Sequence, residues 1–127
     1  MTTYPFDLEK YKKDNIEYYS EFFAEKYSEK YASIKMTKLL SKLKTEMGEY
    51  YDFMSKLLRK LSIHFDYQVI KINKDTPYSQ MERNALSNFI YELNLKGYFV
   101  KVNEYIDDTH DNYCIELIIT LNRISKL

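Results

Sequence analysis

The chain has 127 residues, 45% of them apolar, which allows one modest core and most simply one domain spanning 1–127. Nineteen basic and nineteen acidic side chains leave a formal net charge of zero, which argues against wholesale nucleic-acid binding. A single cysteine, Cys114, excludes an intramolecular disulfide and fits a reducing, cytoplasmic setting, and no apolar stretch reaches transmembrane length. The opening from Met1 to Asp7 has neither the basic nor the apolar region of a secretory leader. Two Gly and two Pro are few for this length, so long regular elements are expected. Tyrosine is abundant, with 14 residues beside 7 Phe, and its apolar body with a polar tip suits core margins and interfaces. Lysine outnumbers arginine 16 to 3, which suggests an AT-rich genome.

An extended arm containing Pro5 opens the chain, with Phe6 free to tuck against the body. Asp14 and Glu17 read as a capping box before Ile16, Tyr19, Phe23, Tyr27 and Tyr31, which predicts a first helix from Asp14 to Ala32, with an earlier turn from Asp7 to Lys13. Ser33 is the predicted break, although nothing forbids one continuous helix through it. A second helix is expected from Ile34 to Ser62, roughly 43 Å long. It carries Met36, Leu40, Leu43, Met47, Tyr50, Met54, Leu57 and Leu61 at alternating spacings of 4 and 3, the heptad pattern of a coiled-coil seam. Leu39, Tyr51, Phe53 and Leu58 widen this face beyond a two-stranded seam, so both internal burial and contact with another chain remain open. Gly48 sits inside the helix, where a close helix crossing would use it.

Period-two alternation follows in Phe65, Tyr67 and Val69, then Ile70 and Ile72, a strand with an expected bulge. Thr76 is the expected cap of a third helix with Pro77 as its first residue and Met81, Ala85, Phe89 and Leu93 on one face, ended by Gly97. Two strands come next, one with Tyr98, Val100 and Val102 on one side, the other with Tyr113, Ile115, Leu117, Ile119 and Leu121, joined by a polar hairpin from Asp107 to Asn112. The reading is therefore α+β: a helical half, 1–63, and a β-α-β-β half, 64–127, with a small three-stranded sheet. If the first two strands are parallel neighbours, their crossover is right-handed. The second sheet face would carry Phe99, Tyr105 and Ile118.

Candidate chemistry is sparse: there is no catalytic constellation, no metal-ligand spacing and no phosphate loop, so neither enzyme activity nor a cofactor is expected. His110 with Asp107, Asp108 and Asp111 can offer carboxylates to a cation, but matches no defined loop and reads better as a solvated hairpin tip. His64 and Asp66 share a strand face with no nucleophile near them, and Cys114 has no adjoining base. Lys35, Lys38, Lys42, Lys44, Lys56, Arg59 and Lys60 make the second helix basic, a stripe that can touch phosphates, interrupted by Glu46, Glu49 and Asp52.

The run from Leu93 to Val100, followed by a hairpin ending in Tyr113 to Leu117, forms a helix–Gly-Tyr–strand–hairpin pattern over residues 79–121. It resembles small accessory proteins of phages and large DNA viruses. The resemblance implies a virus-encoded protein, placed in host cytoplasm or virion. The expected function is non-enzymatic protein–protein interaction: a homo-oligomer, or a subunit docked on a larger assembly. Leu40, Leu43, Met47, Tyr50, Tyr51, Met54 and Leu57 are the expected interface anchors, with Tyr18 and Tyr19 beside them. The alternative is a nucleic-acid-binding accessory protein using the basic helix.

Overall fold

The computed structural model describes residues 4–62 and 65–122, and its first helix begins earlier than the apolar pattern predicts. Helix α1 runs Leu8–Lys26, capped by Asp7, whose carboxylate accepts from the Lys10 amide at 3.0 Å. Asp14 and Glu17 lie inside it and pair along the helix with Lys10 and Lys13 instead of capping. The break falls at Tyr27–Ser28, five residues before the expected Ser33, and helix α2 runs Glu29–Lys60. The helix dipole accounts for the choice: a break here leaves Lys26 at the end of α1 and Glu29 at the start of α2. A break at Ser33 would have put Lys35 in the first turn. The aromatic periodicity accordingly stops at Tyr27, and Tyr31 is exposed.

Helices α1 and α2 form an antiparallel hairpin. The Tyr11 hydroxyl donates to Glu46 at 2.7 Å near its open end, and Lys35 lies over the Tyr27 ring at its closed end. Beyond Glu46, α2 leaves α1 and enters the main core. There Phe53 meets Tyr78 edge-on, and Leu57 is completely buried.

Strand β1 is Tyr67–Lys74, helix α3 Gln80–Leu95, strand β2 Tyr98–Asp107 and strand β3 Asn112–Leu121. The fold is thus α+β, three helices with one small antiparallel sheet of order β1-β3-β2. Strands β1 and β2 point the same way but are not neighbours, because β3 lies between them. Strand β3 has the densest apolar run, with Cys114, Ile115, Leu117 and Ile119 all buried, so it takes the position with two neighbours. The expected bulge in β1 is absent: pairing with β3 runs unbroken from Tyr67 to Lys74. Ile70 and Ile72 face the core, and Tyr67 and Val69 point away from it.

Helix α3 starts three residues later than predicted. Ser79 and Glu82 form a reciprocal capping box that Thr76 cannot make, since Ser79 sits where its acidic partner would be needed. Tyr78, just before the cap, is buried and donates to the carbonyls of Ile72 and Tyr113 at 2.9 Å each. Gly97 ends the helix at φ +93°, a conformation that favours glycine. One apolar cluster joins Leu8, the second half of α2, the inner face of α3 and the inner sheet face. No helix among the described residues is long and apolar enough to cross a membrane.

Candidate assembly surface

The heptad seam on α2 is split lengthwise. Leu43, Tyr50 and Leu57, spaced by 7, turn inward and are buried at 2%, 8% and 0% exposure. These three expected anchors are covered by the chain itself, Tyr50 and Leu57 in the main core and Leu43 in the hairpin, because α1 and α3 approach α2 from that side. Positions one step around the helix are left bare. Leu40, Tyr51 and Leu58 are 45%, 50% and 55% exposed, and Met36, Met47 and Met54 are half-buried. Residue spacing sets them along one flank of α2.

A trough follows this flank. Its first section, about 530 Å³, lies between Lys12 of α1 and Leu40, Lys44, Met47, Gly48 and Tyr51 of α2. The second, about 450 Å³, shares Tyr51 and adds Met54, the N-terminal arm, Asn88 and Glu92. The third, about 220 Å³, shares Met54 and adds Leu58, Leu61 and Lys96. From Leu40 to Leu58 this makes about 27 Å of helix. A row of open hollows on one helix flank suits a partner helix better than a small ligand, which sites itself in one enclosed cavity.

The wall of the trough is built by the arm. The expected extended arm bends at Pro5 and Phe6, and Asn88, on α3 and 4% exposed, holds the Phe6 backbone from both sides, accepting from its amide at 3.1 Å and donating to its carbonyl at 2.8 Å. The same Asn88 amide donates to the Tyr50 hydroxyl at 2.6 Å. The Tyr4 hydroxyl donates to Glu92, and that bond holds the phenol above its ordinary value of 10.0. Charge along the trough is segregated by section. Lys12 and Lys44 line the first, Asp7, Glu9 and Glu92 the second, and Glu92 with Lys96 the third.

The remaining sequence candidates lie elsewhere. Tyr18 is exposed and stacked on Phe22, and Tyr19 is half-buried; neither lines the trough. Lys38, Lys42, Lys56 and Lys60 are exposed along one line of α2 that also carries Glu49, while Lys35 rests on Tyr27 and Arg59 donates to the Ser55 carbonyl. His110 bonds Asp107 at 3.1 Å, and Asp107 also accepts from the Thr109 amide, so this cluster shapes the hairpin turn. Among the described residues no three His, Cys, Asp or Glu side chains are grouped to hold a metal ion. Cys114 is buried. The expected His64–Asp66 pair falls partly outside the described residues, at His64. The outer sheet face is not covered by the long helices: Tyr67, Val69, Phe99 and Tyr105 are exposed.

Lys12, Asn88 and Glu92 were not legible as site residues, because they reach the trough from α1 and α3 and not from the seam helix, and Lys44 was legible only as part of the basic helix. Leu58 and Gly48 were, had the outer flank been traced separately from the seam. The chain matches no known family model, and no curated protein or solved structure is significantly similar to it.

Proposed function

We propose that this is a non-enzymatic assembly protein that works by burying the outer flank of α2 against another protein chain. The observation that carries the reading is the split apolar face of α2: one side is covered internally, while Leu40 of the heptad and the flanking Tyr51 and Leu58 still face solvent. The hairpin supports it. Between residues 9 and 49 only Leu43 is fully buried, so the arm is far from saturated with contacts. Lysine bias and the helix–Gly-Tyr–strand–hairpin pattern support an accessory component of a phage or large DNA virus.

The test is mass against concentration. Light scattering after size exclusion is expected to give a particle heavier than 15.4 kDa at high micromolar concentration. Leu40→Asp with Leu58→Asp is expected to return it to the monomer with its circular dichroism unchanged. A wild-type monomer throughout the range counts against self-assembly. The line of Lys38, Lys42, Lys56 and Lys60 favours a second reading, contact with nucleic acid. Glu49 on that line and a net charge of zero weigh against it; an oligonucleotide shift that disappears steeply with salt would reverse the order.

A further inference from the structure

The exposed flank of α2 is self-complementary, and we propose that its occupant is a second copy of this chain, with α2 antiparallel to the partner's α2 about a two-fold axis that passes the outer flank level with position 49. This rests on the assembly reading and names its partner. Leu40, Met47, Tyr51 and Leu58 are spaced 7, 4 and 7, a pattern that reads the same in both directions. Turning the helix end for end about position 49 brings Leu40 onto the partner's Leu58 and Met47 onto the partner's Tyr51. Each apolar anchor meets another, twice over, as an isologous contact requires.

Charge obeys the same symmetry. The rotation sets Lys44 opposite the partner's Met54, the residue that flanks Glu92 in two sections of the trough. The basic end of each trough, Lys12 and Lys44, thereby faces the acidic stretch of the other, Asp7, Glu9 and Glu92. A parallel arrangement would set each cluster against its own copy. Gly48 supplies the remaining piece. Glycine weakens a helix interior, and a Cβ built at Gly48 would touch nothing in its own chain, so no internal contact calls for it. It lines the first section of the trough beside Met47, where the absence of a side chain leaves room for the partner.

Cysteine coupling in the full-length chain tests the register, with the native Cys114 buried and as the background control. Mixed Leu40→Cys and Leu58→Cys chains are expected to form a mixed disulfide dimer. Either variant alone should couple to itself about tenfold more slowly or less, because its two thiols lie at opposite ends of about 27 Å of helix. A heavier particle by light scattering in which Leu40→Cys couples to itself, or in which nothing couples, overturns this register and leaves the assembly reading standing. A monomeric mass at every concentration together with no coupling in any mixture overturns both.

Discussion

Asn88 shows how a single buried amide fixes the border of the surface. Its carboxamide has two ends, and the backbone at Phe6 presents one donor and one acceptor at matching distance, so the two groups close a pair of hydrogen bonds. Asn88→Ala would leave Tyr50 and the Phe6 backbone without that partner. It is expected to destabilise the fold by about 1–3 kcal/mol in urea melts and to open the arm to proteolysis before the core. Glu82 is the second such residue. Burial opposes its ionisation, but the Lys74 ammonium at 2.7 Å and the Ser79 amide outweigh that, and the net effect holds its pKa below the ordinary 4.5. A carboxylate depressed on folding contributes stability that is present above its unfolded value and lost as the pH falls through the folded one. Acid titration of stability should therefore be shallower below about pH 4.5 in Glu82→Gln than in the wild type, read from melting temperatures. An identical acid limb in the two proteins would show that the pair contributes nothing.

At the scale of elements, α2 is one helix with two halves of different character and two flanks of different fate. Leu57 and Leu58 are adjacent in sequence, yet one is 0% exposed and the other 55%. Leu57→Ala is expected to lose about 2–5 kcal/mol by leaving a cavity, whereas Leu58→Ala should stay within about 0.5 kcal/mol for the monomer and act on association. Equal losses in denaturant would mean that the flank is not free. Gly48→Ala separates the same two effects with opposite signs: the isolated chain should gain about 0.5–1 kcal/mol from the better helix former, while dilution experiments show weaker association. The apolar period made α2, α3 and the three strands legible in outline, because 3.6- and 2-residue repeats are written in side-chain types. Boundaries were less legible where two starts competed, at Ser79 against Thr76, where the Glu82 capping box favours Ser79, and at Ser28 against Ser33, where Ser28 makes no side-chain cap and Glu29 in the first turn suits the helix dipole. Strand order was not written locally at all, since β3 becomes central only by being the most apolar of three. The division of the seam had the same origin. Heptad spacing identifies a face, but which of its sides the chain itself covers depends on where α1 and α3 arrive.

In the whole molecule, among the described residues, the main core is built from the sheet, Tyr78, α3, Leu8 at the start of α1 and the second half of α2, and Leu43 of the hairpin is buried apart from it. Net neutrality hides a separation of charge along the trough, and that separation is what gives the surface a direction. Exposed ion pairs contribute only about 0–1 kcal/mol each, but in the proposed two-fold dimer every pair would occur twice, so reversing one charge would change two contacts at once. There Lys44→Glu alone would set an acid against the partner's Glu92 at both ends, and Glu92→Lys alone would set a base against the partner's Lys44 at both ends. Each variant should associate more weakly than the wild type. The equimolar mixture should recover, because both of its contacts are attractive again, and the recovery should shrink as salt is raised, since screening over about 10 Å at 0.1 M acts on partly exposed charges. Sedimentation of the two variants apart and mixed reads all three states. Recovery that ignores salt would assign the effect to packing instead of charge, and variants that associate like the wild type would remove Lys44 and Glu92 from the contact.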